Sequence, residues 1–233
     1  CDIYGCELEK DTIKIGIGSI LLSTGIINNN LINCDSLCAN PFLFTKKFSS
    51  IITNPPFGTS MNYDELKENF ETFKSNNHSI SNITFEDIYP LVMNNGAGLF
   101  IQNCVYMLEE NGICAIVLPD GELFEGNSKW SKELRKWLCN NVNIRLILKV
   151  PSGTFDYAGV KTNVVIFTKD GKTQNIQFLE TNKECEFVKE LFNITMEDLI
   201  QTGYSLDIGE YIEEDSDNYD VPMVALDEVC NIK

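Results

Sequence analysis

A strongly β-type run, Phe48-Ser-Ser-Ile-Ile-Thr53, ends at Asn54-Pro55-Pro56-Phe57 and is followed by Gly58. Two consecutive prolines hold φ at about −65° twice over and bar a following helix or central strand. The strand must therefore end in a rigid turn whose carbonyls point in set directions. Asn54 offers an amide oxygen just before that turn, and Phe57 offers a flat apolar face just after it. Together they can hold a planar group that carries an NH2. The same residues also suit a plain strand-ending turn in which Phe57 simply packs, so the choice rests on the rest of the chain.

Strand-like and helix-like segments alternate along most of the sequence, the pattern of a layered α/β domain with a mostly parallel sheet. Asp2 to Leu8 reads as a strand, Asp11 to Thr24 as a helix stopped by Gly25, and Leu31 to Asn33 as a second strand before Asp35. Phe48 to Thr53 is the third strand. Residues 59–97 are polar and Asn-rich, which predicts a long inserted loop of the lid type with one short helix around Glu65 to Lys74. Leu99 to Glu110 has helical spacing, Ile113 to Leu118 is a buried strand ending at Pro119-Asp120, and Trp130 to Asn141 is an amphipathic helix. Ile144 to Val150 and Asn163 to Lys169 form a C-terminal antiparallel hairpin, with Ile176 to Leu179 as an edge strand and helix over Glu186 to Ile200.

In an open α/β sheet, ligands bind beyond the carboxyl ends of the strands, and Glu7, Asp35 and Asn54 fall at three such ends. A carboxylate in the place of Glu7 suits a pair of ribose hydroxyls, and one in the place of Asp35 suits the exocyclic amine of an adenine ring. Each acid equally suits a helix N-terminal charge or cap.

Composition narrows the partners. The chain carries 18 Lys and Arg against 34 Asp and Glu, a net charge of −16, which counts against a self-standing nucleic-acid surface. Much of that acid is local, in Glu210, Glu213, Glu214, Asp215, Asp217 and Asp220. Lys129, Lys132, Arg135 and Lys136 share one predicted helix and leave room for a modest basic patch. No run reaches the roughly 20 apolar residues of a membrane span. The nine cysteines include no CxxC pair, and His78 is the one histidine, so reduced thiols in an intracellular protein are expected rather than a disulfide framework or a zinc site.

The runs Tyr4-Gly5-Cys6-Glu7, Cys34-Asp35-Ser36-Leu37 and Ile51-Ile52-Thr53-Asn54-Pro55-Pro56-Phe57-Gly58, in that order, resemble the N6-adenine DNA methyltransferases, and in particular the methylation subunits of type I restriction-modification systems. Gly153 to Lys169 resembles the segment that follows the catalytic core in that family. The likeness covers roughly residues 1–180 and implies a Rossmann-like class I methyltransferase fold with S-adenosylmethionine as cofactor. It implies that Glu7 holds the ribose hydroxyls and Asp35 the adenine amine of the cofactor. Asn54 and the Pro55 carbonyl would accept from the amino group of a flipped target adenine, within the catalytic run Asn54, Pro55, Pro56 and Phe57. Phe57 would stack on that base, with Phe155 as a second face.

The implied partners are double-stranded DNA, a specificity domain or subunit, and a restriction subunit. The family's first strand and glycine-rich loop are expected upstream of Cys1, because Gly16 and Gly18 lie inside a predicted helix and cannot form that loop. Residues 1–182 are expected to be the catalytic domain, 183–220 a helical and acidic linker, and 221–233 the opening of a target-recognition domain. A protein-glutamine or RNA N-methyltransferase, or a non-catalytic DNA-binding relative, are the alternative readings.

Overall fold

The computed structural model describes residues 2–123, 128–154, 161–184, 186 and 188–211. Phe155, the acidic run beyond Tyr211 and the tail 221–233 lie outside them. The elements run β1 (Gly5–Glu7), α1 (Lys10–Thr24), β2 (Leu31–Asn33), α2 (Phe42–Thr45), β3 (Phe48–Thr53), α3 (Tyr63–Asn77), α4 (Phe85–Ile88) and α5 (Gly96–Met107). There follow β4 (Leu108–Pro119), α6 (Asp120–Leu123), α7 (Lys129–Asn141), β5 (Asn143–Val150), β6 (Thr162–Thr168), β7 (Asn175–Thr181), β8 (Val188–Thr195) and α8 (Met196–Gln201).

The strands form two hydrogen-bonded sheets, β1-β2 and β3-β4-β6-β5-β7-β8. Pairing is parallel for β1-β2, β3-β4 and β5-β7 and antiparallel for β4-β6, β5-β6 and β7-β8, so the sheet is mixed rather than mostly parallel. The expected hairpin pair is present as β5-β6. The strand at 175–181 is interior, because the region expected to be helical supplies β8 beside it. Its β-branched and aromatic content, Val188, Phe192, Ile194 and Thr195, and the apolar partners waiting on β7, override the weak helical spacing.

Residues 59–97 also depart from expectation: they are packed rather than lid-like. Tyr63, Leu66 and Phe70 recur at helical spacing on α3 and are buried, meeting Phe85, Ile88 and Tyr89 from the α4 region. Ring centroids lie 5.2 Å apart for Tyr63–Phe85, 5.5 Å for Phe70–Phe85 and 4.7 Å for Phe85–Tyr89. Asn62 caps α3 by accepting from the Asp64 and Glu65 N–H groups, and Thr84 with Asp87 forms a capping box on α4. Three of the asparagines behind the loop-like character, Asn62, Asn94 and Asn95, serve helix N-termini instead.

Helix α1 ends where Gly25 adopts φ 72°, a left-handed value that glycine tolerates without a Cβ clash. Among the described residues, no helix is long and apolar enough to cross a membrane.

The strand-connecting segment 91–95 is tied to α5 by a fully buried amide. Gln102 Oε1 accepts from the Leu91 N–H at 2.8 Å, and its Nε2 donates to the Leu91 and Gly98 carbonyls, each at 3.3 Å. Gln102→Met keeps the volume and loses all three bonds. The expected result is a loss of about 2 kcal/mol of stability and a melting temperature lower by roughly 5 °C, read by denaturant and thermal unfolding.

Candidate active site

Each sequence-predicted residue sits at the carboxyl end of a strand. Glu7 is the last residue of β1 and pairs with Asn33, Asp35 lies two residues past β2, and Asn54 directly follows β3. The short parallel pair thus sets the two acids side by side. Glu7 Oε1 accepts from the Glu9 N–H at 2.8 Å, and Asp35 Oδ1 accepts from the Leu37 N–H at 2.8 Å. Backbone donors thereby fix both carboxylates before any ligand arrives. Tyr89, fully buried, donates its hydroxyl to the Leu37 carbonyl at 2.7 Å and so braces the loop that carries Asp35.

Three thiols surround these acids, a grouping absent from the sequence reading. Cys6 on β1 is opposite Ile32, and Cys34 lies two residues farther on, just past β2, so both project to the same face and are hydrogen-bonded. The Cys6 S–H donates to the Cys34 sulfur, which holds the Cys34 thiol below its ordinary range and, with burial, pushes the Cys6 thiol up. Burial, then the Asp35 charge, pushes Cys38 up to about 12. The described cysteines 6, 34, 38, 104, 114 and 139 are free, and among the described residues no cluster suits a metal ion.

Asn54 stands on the larger sheet. Its side chain is exposed and makes no hydrogen bond among the described residues, whereas Pro55 is buried and Phe57 half-buried. The turn is clamped from both sides. Upstream, Thr53 pairs with Ile116 of β4; downstream, the Gly96 N–H donates to the Thr59 carbonyl at 2.9 Å and the Met61 N–H to the Asn94 carbonyl at 2.8 Å. Gly96 permits that approach, since a Cβ there would lie 2.1 Å from Thr59 Oγ1 and 3.0 Å from its carbonyl oxygen. No hydrogen bond or ring contact among the described residues joins Asn54 to Glu7 or Asp35. The two strand groups meet at their amino ends, where the Tyr4 ring lies 5.2 Å from Phe42 and 5.5 Å from Phe48.

Beyond the turn, residues 58–60, 93–95 and Trp130 line a cleft of about 420 Å³. At the same sheet edge, Asn163 Nδ2 donates to Asp120 Oδ1 in a buried bond, while Asn163 Oδ1 and Thr162 Oγ1 are buried without partners. In the sequence, Asp120 and Asn163 mark only strand boundaries. The signal for them was a polar residue opening an otherwise apolar strand, opposite an acid that directly follows Pro119.

The N-6 DNA Methylase family model matches residues 1–229. The chain is 33% identical over 180 residues to the type I restriction enzyme EcoEI methylase subunit of Escherichia coli, covering 76% of this chain and 32% of that protein. It is 33% identical over 135 residues to the StySJI methylase subunit of Salmonella typhimurium, covering 58% of this chain and 21% of that one. The type I restriction-modification methyltransferase subunit from Streptococcus thermophilus superposes with TM-score 0.68 at 23% identity, over 91% of this chain and 48% of that one. The EcoKI M protein does so with TM-score 0.59 at 25% identity, over 88% and 41%. The chain therefore spans about a third or less of the curated relatives' length.

Of the three thiols, Cys34 alone is held below its ordinary range, by its contact with Cys6, which favours its thiolate. Iodoacetamide at pH 7.5 is expected to modify Cys34 before Cys6 and Cys38, read by peptide mass spectrometry. In Cys6→Val, which removes the donor, Cys34 labelling should slow severalfold.

Proposed function

The chain belongs to the N-6 DNA methylase family, and on that premise we propose that it carries the methyl-transfer site of a site-specific DNA adenine-N6 methyltransferase using S-adenosylmethionine. The observation that carries this reading is the state of Asn54. An exposed amide with no partner among the described residues, on a backbone turn clamped at both ends, is an acceptor left available to a ligand.

The residues present fit the nucleoside half of the cofactor. Glu7 keeps one carboxylate oxygen unbonded among the described residues, the anionic acceptor that a vicinal diol requires. Asp35, fixed by the Leu37 N–H, is the acceptor that an exocyclic amine requires. When bound, S-adenosylmethionine supplies an electrophilic sulfonium methyl. The chain's part is to prepare the nucleophile. An adenine amine is weakly nucleophilic because its lone pair is delocalised into the ring. Asn54 Oδ1 and the Pro55 carbonyl accept its two hydrogens and hold the nitrogen nearer to tetrahedral, which localises the pair. Phe57 packs on the face of the flipped base.

Partners follow from the same premise. A net charge of −16 leaves the chain poorly suited to gripping duplex DNA by itself. We propose that sequence recognition and most phosphate contacts belong to a specificity domain or subunit, with residues 221–233 as the opening of such a segment, and that a restriction subunit joins the assembly.

In the full-length protein, Asn54→Ala is expected to lower methyl transfer to unmethylated duplex DNA by about 100-fold or more, with an unchanged melting temperature because the side chain supports nothing. Equal transfer by both proteins overturns the assignment. Asp35→Ala is expected to raise the KM for S-adenosylmethionine by roughly tenfold. Independently of activity, S-adenosylhomocysteine should protect Cys34 from iodoacetamide; undiminished labelling would place the cofactor elsewhere.

A further inference from the structure

We infer that the cleft beyond the proline turn is a subsite for the nucleotide next to the target adenine, with Trp130 as its stacking platform. The inference rests on the methyltransferase reading above. The cleft begins at Gly58, one residue past the turn that would hold the flipped base, and its lining includes neither Asn54 nor Phe57. Thr59 lies two residues beyond Phe57, at most about 7 Å along the chain, within the reach of the adjoining nucleotide rather than of the target itself. A volume of about 420 Å³ admits one nucleotide.

The chemistry of the walls selects what enters. Asn94 Oδ1 is committed to the Tyr63 N–H at 3.1 Å, and Asn95 Oδ1 to the Gly98 N–H at 2.9 Å. Those bonds fix which end of each amide remains. The Nδ2 groups of Asn94 and Asn95 and the Trp130 indole N–H have no acceptor among the described residues. Three donors are therefore left over, while among the described residues no carboxylate lines the cleft in a chain of net charge −16. Lys129, its side chain 89% exposed and only loosely paired with Glu133 at 3.8 Å, adjoins Trp130. A planar platform surrounded by spare donors fits a flat, acceptor-rich, anionic ligand. An unstacked base with its phosphodiester is such a ligand, and flipping one nucleotide leaves its neighbour with a newly bared face.

The test uses the full-length protein and sheared genomic DNA from a methylation-deficient host, following transfer of labelled methyl groups. Trp130→Ala is expected to raise the KM for DNA about tenfold, with the KM for S-adenosylmethionine unchanged; Trp130→Phe should recover most of the loss. Asn94→Asp keeps the acceptor for the Tyr63 N–H but replaces the donor with a negative oxygen, so it should raise the DNA KM comparably while the melting temperature stays within a few degrees. If the wild-type protein transfers methyl to adenine and both Trp130→Ala and Asn94→Asp match it in DNA KM, the subsite is overturned and the methyltransferase reading stands. If Trp130→Ala loses affinity for both substrates equally and Trp130→Phe does not recover, Trp130 is a packing residue and the proposal fails. Absence of methyl transfer from the wild type would instead remove the reading on which the subsite rests.

Discussion

Strand β4 is the constraint on which the rest of the structure depends. Its Cys114, Ile116 and Leu118 are all but fully buried. On one side it pairs in parallel with β3, with Thr53 opposite Ile116; on the other it pairs antiparallel with β6, with Leu118 opposite Asn163. A slip of one residue would turn every buried side chain toward the opposite face, so the register is strongly specified. That register fixes where β3 ends, and hence where the double proline forces the chain to leave the sheet. It also sets Asp120 and Asn163 at the same edge. The exposed amide of Asn54 can then wait without an internal partner, because its position is secured by its neighbours rather than by its own bonds.

The parts legible in the sequence were those set by local rules. The bounds of β2 and β3 and the stop of α1 at Gly25 agree with the reading, since each follows from a short apolar run, a glycine or a proline. The positions of Glu7, Asp35 and Asn54 at strand ends were equally legible, because an acid or amide closing an apolar strand is a local signal. What was not legible depended on distant partners. Residues 59–97 look like a loop because their caps and turns are Asn-rich, while the four rings that condense them, Tyr63, Phe70, Phe85 and Tyr89, are spread over 27 positions and find each other only in three dimensions. Strand β8 was missed for the same reason: its pairing with β7, not its own spacing, decides its state. The contact of Cys6 with Cys34 needs the β1-β2 register, which no composition rule supplies.

The arrangement of donors and acceptors divides the candidate site by chemistry. Around β1 and β2, carboxylates anchored by backbone N–H groups present acceptors, and the thiols of Cys6 and Cys34 interact beside them. Beyond β3, the amide oxygens of Asn94 and Asn95 are consumed by capping, so donors remain. One region thus favours hydroxyls and amines, the other phosphates and base edges. The division arises from helix capping and strand ends, devices present for folding reasons, and no dedicated binding loop is needed to create it.

If the proposed methyltransferase reading holds, a net charge of −16 conflicts with a polyanionic substrate, and the distribution of charge bears on that conflict. Surface charges farther apart than the Debye length, about 8 Å at physiological ionic strength, are largely screened from one another. What a ligand in the cleft beside Trp130 would experience is the local lining, in which no carboxylate stands among the described residues. The long-range attraction that ordinarily steers a protein to DNA is still missing, because 34 acidic groups outweigh 18 basic ones over the whole chain. On the proposed reading, such a chain would hold a nucleotide once it is delivered but capture duplex poorly from solution. Under the methyltransferase reading proposed above, a separation of capture from chemistry, with a basic partner performing the first and this chain the second, is the arrangement such electrostatics would favour.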